Sequence, residues 1–313
     1  MTKELKYQEE LEYQEELEIK AGIKDLIKEK YHTAMDRYKR QFILIIVFFI
    51  VVLIIVILTL IPPFNEPEKR YWEIPDVLLD NYADPSLKHL LGTDQHGRDH
   101  LTRLFHAVRN SLAFGFITGL ICTGIAVFLG VIGPFKGGVV DATASFITNI
   151  ALVFPSYAFI ILMSIILEIR EWWITMLVIA LFNWPWAARS IRSQVLTLKE
   201  RNFIKVSKMS ALKNMRIAFT EILPNVLPYI LLAFIIFLGG AILAEAGIAM
   251  IGLGQQNWLT LGLMLNQAVD FGWIFPSFSY WLWLPPGICL IFIVLTFFII
   301  QASLSKTFEQ RKV

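Results

Sequence analysis

From Phe42 to Ile61 the chain is apolar with a single polar interruption, Thr59. A helix needs about 20 such residues to cross the hydrocarbon core, where every backbone polar group must be satisfied internally. Five further apolar stretches follow at roughly 111–133, 145–167, 172–188, 223–247 and 283–304. Pro155 and Pro185 interrupt two of them, which membrane helices tolerate when neighbours satisfy the freed backbone groups. The pattern predicts an all-α polytopic membrane protein with about six transmembrane helices. The first run is too long, too far into the chain and too promptly followed by Pro62-Pro63 to read as a cleaved signal peptide.

Polar positions set the organisation around these spans. Residues 1–40 form a charged head containing a tandem repeat, "YQEELEYQEELE" (Tyr7 to Glu18), whose six-residue period does not fit a coiled-coil heptad. It reads as a solvated helix leading into the first span (41–61), with "DRYKR" (Asp36 to Arg40) at the lipid headgroups. An external loop at 62–110, a core of five spans at 111–306 and a tail at 307–313 complete the predicted division. With the N-terminus inside, twenty-one Lys and Arg fall on inside segments and seven on outside ones, which places both termini in the cytoplasm of a plasma (inner) membrane protein. Composition agrees: 56% of residues are hydrophobic, 17% are charged, and the mean hydropathy is +0.59. Cys122 and Cys289 lie in apolar runs and read as small buried hydrophobes. The aromatics of 248–282, among them Trp258, Trp273 and Tyr280, suit an interfacial belt or a surface that touches a partner, the belt being the preferred reading.

Catalytic chemistry is hard to find. The sequence lacks G-x-x-x-x-G-K-[ST], G-x-S-x-G and H-E-x-x-H, which argues against ATP hydrolysis by this chain and against the common serine-hydrolase and zinc-protease sites. His96 and His100 are four apart, but no third ligand is convincingly spaced, so no metal site is predicted. "LGTDQHGRD" reads as scaffold: Gly92 and Gly97 permit turns, Thr93 lies between them, Asp94 can cap, and Arg98 with Asp99 can anchor a short segment against the spans. Glu245, near the end of the fifth span, is the main ionisable residue inside the apolar runs, too little for an ion relay.

One cytoplasmic segment stands out, "LKERNFIKVSKMSALKNMRIAFTEILPN" (Leu198 to Asn225). On a helical projection Ile204, Ala211, Met215, Phe219 and Ile222 form one stripe, while Phe203, Val206 and Met209 fall on another side. Two apolar faces suggest that one packs on the protein's own spans and the other meets a partner. A kinked amphipathic helix lying on the membrane surface fits the same pattern.

Trp184, Ala188, Arg189, Arg192, Leu196, Glu200, Phe203, Leu223, Pro224 and Asn225 stand where ABC-importer permeases of the dipeptide/oligopeptide family carry the same residues around their EAA loop. "LGTDQHGRDHLTRL" (Leu91 to Leu104) resembles the signature of the C-type permease of that family, and "ILAEAGIAMIGLG" (Ile242 to Gly254) and "TLGLML" (Thr260 to Leu265) resemble two later segments. The resemblance covers about residues 42–306. It implies a permease subunit of a binding-protein-dependent importer, for di- or oligopeptides, that works by alternating access. Its implied partners are a homologous second permease, two cytoplasmic ATPase subunits, an external substrate-binding protein and membrane lipid, with no nucleic acid. No cofactor would sit on this chain, ATP and Mg being held by the ATPases. The coupling helix at about Asn202 to Asn214 would dock on an ATPase through Phe203, Val206, Ser207, Met209 and Ala211. The pattern is altered there: Lys205-Val206-Ser207 stands where Glu-Ala-Ala is usual, Ala211 where glycine is, and Glu221 where histidine is common. Oligosaccharide or nickel cargo, or a scaffold that anchors an ATPase without transport, are the alternative readings.

Overall fold

The computed structural model describes residues 50, 53–54, 57, 83–94, 97–168, 171–209, 214–270 and 280–310. The charged head at 1–40 and most of the predicted first span lie outside them. The described part is helical, and its lone β-bridge, Thr93 with Asp99, closes a turn.

Helix α1 (His100–Val127) continues through a π-helical turn, Phe128–Ile132, into α2 (Gly133–Lys136). Next come α3 (Gly138–Val153), α4 (Ser156–Ile166), α5 (Trp172–Asn183) and α6 (Pro185–Lys199). Two short helices, α7 (Asn202–Met209) and α8 (Asn214–Ile217), lead to a second π-helical turn, Ala218–Ile222. The chain ends in α9 (Leu223–Met250), α10 (Leu261–Asp270) and α11 (Tyr280–Gln310).

Three stretches are long and apolar enough to cross a bilayer unbroken: His100–Lys136, Ala218–Met250 and Tyr280–Ser305. The pairs α3–α4 and α5–α6 bend by 84° and 46° and raise the total to five if each is one broken span. The bends fall at Pro155 and at Trp184–Pro185, because proline has no N–H to donate and its ring collides with the preceding turn. Polar side chains within the helices bond back to their own backbone: Thr123 donates to the Gly119 carbonyl, Thr148 to Ala144, Ser164 to Ile160 and Thr296 to Phe292. Large apolar residues such as Phe128, Ile165, Leu181, Ile291 and Phe298 remain exposed on the helix surfaces, as expected of a lipid-facing or subunit-facing wall.

The scaffold is built on α1 against α9, with α11 and α10 also packed on α9. Glycine brings the two long helices together. A Cβ on Gly115 would lie 2.5 Å from Cγ1 of Ile242 and 2.8 Å from the Leu238 carbonyl. Gly115→Ala is therefore expected to cost about 1–3 kcal/mol through forced separation of the backbones. Thermal unfolding in detergent measures it, and an unchanged melting temperature would contradict the close contact.

The helix bounds depart from the sequence expectation at several places. α1 starts at His100, well before residue 111, because the polar residues of its first turns are buried against protein. The segment 248–282 contains α10, and the helix of α11 runs on through the predicted start of the tail. Trp258 packs on Trp172, ring centroids 4.7 Å apart, so this aromatic makes an intramolecular contact.

Candidate functional site

The segment after α6 forms the first candidate. α6 buries Ile191 and Val195, and the chain turns at Glu200, which is exposed. The Arg201 amide donates to the Leu198 carbonyl at 3.0 Å and the Ile204 amide to the Arg201 carbonyl at 3.1 Å, which starts α7. Ile204 is 0% exposed and joins a core cluster with Val195, Ile217 and Ile222, whereas its neighbour Phe203 is 43% exposed. The short helix thus has one face held in the permease body and one open.

Phe219, grouped by the helical projection on one stripe with Ile204 and Ile222, is 57% exposed while those two are buried; it lies in the π-helical turn Ala218–Ile222, which shifts the helical register. Ala211 and the side chains of Val206, Met209 and Met215 lie outside the described residues. Ser207 is placed: its hydroxyl lies 2.6 Å from Oε1 of Glu221 and 3.1 Å from the Phe203 carbonyl. Pro224 sits in the first turn of α9, and the Asn225 amide donates to the Glu221 carbonyl at 2.6 Å.

Around this segment the ends of the helices are tied by charge. Arg192 donates to both carboxylate oxygens of Asp141 on α3, at 3.0 and 2.9 Å. Such a fork gives fixed geometry as well as energy. The Lys199 ammonium donates to the Pro134 carbonyl of α2 and lies 5.8 Å from the centroid of the Phe135 ring. Arg189 is exposed on α6.

The second candidate lies immediately before α1 in the chain. Gly92 (φ +67°) and Gly97 (φ +68°) take left-handed backbone conformations. Between them Thr93 accepts the Ala83 amide on Oγ1 at 2.8 Å, and the Gly97 amide donates to the Asp94 carbonyl at 3.0 Å. The cap of α1 is Asp99 rather than Asp94: its carboxylate accepts the Thr102 amide and hydroxyl, both at 2.8 Å, and meets His89 Nδ1 at 3.0 Å. Asp94 is instead a buried hub. It accepts the Arg98 amide at 2.9 Å and the Arg98 Nε at 2.7 Å, and it pairs with Arg103, whose Nη2 reaches Gln267 of α10 at 2.7 Å. Burial pushes the Asp94 carboxyl up, but the Arg103 and Arg98 guanidinium groups and the bonds from Arg98 outweigh it and hold the group below its ordinary value.

The loop after α9 is fastened to the same frame. Asn110 donates to the Leu259 carbonyl at 2.9 Å, and Ser111 accepts the Leu261 amide at 3.0 Å. Glu245 is 1% exposed and accepts from Gln255 at 2.8 Å and Thr260 at 2.6 Å. It thus serves as a brace for this loop. Among the described residues no group of His, Cys, Asp and Glu could hold a metal ion.

Residues 122–311 match the family model described as the binding-protein-dependent transport system inner membrane component. The chain belongs to this family. It is 30% identical over 237 residues, 75% of this chain and 80% of the relative, to the oligopeptide transport system permease protein OppC of Lactococcus lactis subsp. lactis. It is 35% identical over 235 residues, 72% of this chain and 73% of the relative, to the dipeptide transport system permease protein DppC of Alkalihalophilus pseudofirmus. A putative peptide permease protein of Brucella suis is 33% identical over 240 residues, 75% of this chain and 77% of the relative. In fold it is similar to a chain of the MetNI methionine ABC transporter in an inward-facing conformation, with a TM-score of 0.51, 20% identity, and coverage of 66% of this chain and 96% of that one. The permease is therefore a multi-pass inner-membrane subunit of an ABC importer, a class that works with ATPase and binding-protein partners. The matched region begins within α1, so the hub at Asp94 precedes it and α7 lies inside it.

Proposed function

We propose that this permease imports di- or oligopeptides as one of a homologous pair, with two ATPase subunits docked on α7 and a substrate-binding protein on the opposite face. The cargo reading rests on relatives named as oligopeptide and dipeptide permeases. The observation that carries the docking is the division of α7 into a buried anchor, Ile204, and an exposed aromatic, Phe203. Phe203, Val206, Met209 and Ala211 form the contact. ATP and Mg are bound by the ATPases, and this chain contributes movement, with both termini in the cytoplasm.

Closure of the ATPases on ATP draws α7 with them. Because Ile204 packs into the cluster of Val195, Ile217 and Ile222, displacement of α7 moves α6 and the head of α9 together. Arg192–Asp141 and Lys199–Pro134 bring α3 and α2 along, so the cytoplasmic ends travel as one body. The close α1–α9 contact transmits that movement to the outer half, where the Asp94 hub and the Glu245 brace keep the external segments rigid. The energy comes from binding one state better than the other.

Co-purification from native membranes tests this reading. Two ATPase subunits, a second permease and bound peptide are expected; their absence would contradict it. Orientation has its own test. After replacement of Cys122 and Cys289, an impermeant thiol reagent should label Lys213→Cys from the cytoplasmic side and not from outside. Labelling from outside would invert the topology.

A further inference from the structure

Ser207 and Glu221 lie 14 residues apart along the chain, and the structure brings them into contact. The Ser207 hydroxyl lies 2.6 Å from Oε1 of Glu221, a bond from α7 to the π-helical turn that heads α9. A hydroxyl has one proton, so it donates either to this carboxylate or to the Phe203 carbonyl at 3.1 Å. The charged acceptor at shorter range is the stronger partner. Both ends are firmly seated: Ile204 in α7, Ile217 just before the turn and Ile222 at its end belong to one buried cluster. Glu221 also receives Asn225 on its backbone carbonyl, which fixes the turn from within α9. π-helical turns of this kind occur often at functional positions, where an extra residue loosens the helical ladder. Along the chain, α7 reaches α9 only through residues 210–213 and the four-residue α8. The hydrogen bond bypasses that connection.

We propose that Ser207 and Glu221 form a strut that carries the displacement of α7 directly into the head of α9, and so sets how much transport each ATP yields. They are positioning residues, acting on the span through the π-helical turn. This rests on the coupling role given to α7 above.

The test uses the whole complex, permeases, ATPases and binding protein, in proteoliposomes, with peptide uptake and ATP hydrolysis measured together. Ser207→Ala and Glu221→Ala are each expected to lower peptide imported per ATP roughly threefold to tenfold, the size of one ordinary intramolecular hydrogen bond. The Glu221→Ala complex should retain its ATPases and its hydrolysis rate. Glu221→Gln keeps an acceptor oxygen and should restore most of the ratio. The double alanine variant should be no worse than either single one, because the two residues make one contact. Unchanged uptake per ATP in the single variants, or a double loss equal to the product of the single losses, would overturn the strut. So would dissociation of the ATPases from Glu221→Ala. If the unmodified complex hydrolyses ATP without importing peptide, the transport reading fails and the strut fails with it; if it imports and the variants keep its ratio, the strut alone fails.

Discussion

Asp94→Ala is expected to destabilise the purified permease by about 3–5 kcal/mol, the range for removing one partner from a buried ion pair. Arg103 is 4% exposed at the start of α1, and Asp94 joins it to Arg98 in one cluster. Without the carboxylate two guanidinium groups face each other in a site closed to water, and the link through Gln267 to α10 loses its orientation. Asp94→Asn should fall between, since it keeps shape and an acceptor but no charge. The pH dependence has a definite sign. A carboxyl held below its ordinary value contributes stability that is complete above the unfolded value, about 3.9, and is lost as pH falls through the lower folded one. Thermal unfolding in detergent should show a wide gap between wild type and Asp94→Asn at pH 7 that narrows only in strong acid. Equal melting temperatures at pH 7 would contradict the hub.

Phe203→Asp should release the ATPases while the permease stays folded. An exposed aromatic at the centre of a docking face is the kind of residue whose loss costs 2 kcal/mol or more, about thirtyfold in affinity, and a carboxylate adds desolvation. Phe203 is 43% exposed and Ile204 is fully buried, so the melting temperature should fall far less for Phe203→Asp than for Ile204→Asp. Val206→Asp with Met209→Asp is expected to act the same way. Ile204→Asp provides the contrast, because it places a charge in the core and should unfold the segment. Pull-down of the ATPases by each variant reads this directly. Retention at wild-type strength by Phe203→Asp would mean that the exposed face of α7 is not the docking surface.

The apolar runs were legible because hydrocarbon imposes length and polarity on any segment that crosses it. What lay beyond them depended on pairing. The first turns of α1 read as loop because His100, Arg103, His106 and Asn110 are polar, yet they are buried, and two of them have partners far along the chain: Gln267 for Arg103, besides the nearby Asp94, and the Leu259 carbonyl for Asn110. Asp141 carried no local sign that it would hold Arg192. Pro155 and Pro185 marked where helices would break but not that one bend would be 84° and the other 46°, since the packed neighbours set the angle. The helical projection put Ile204, Phe219 and Ile222 on one stripe, but Ile204 and Ile222 are buried and Phe219 is exposed, because Phe219 lies in the π-helical turn Ala218–Ile222, where the extra residue shifts the register. The cap of α1 went to Asp99, three residues before Thr102, and left Asp94 to gather the arginines.

The central claim, that partner ATPases acting on α7 drive this subunit to import peptides, is tested most directly by reconstitution. Proteoliposomes containing both permeases and the ATPases, supplied with peptide and binding protein outside and ATP inside, should accumulate peptide against its gradient. Phe203→Asp should abolish that accumulation. Accumulation that proceeds without ATP, or that survives Phe203→Asp undiminished, would contradict the account.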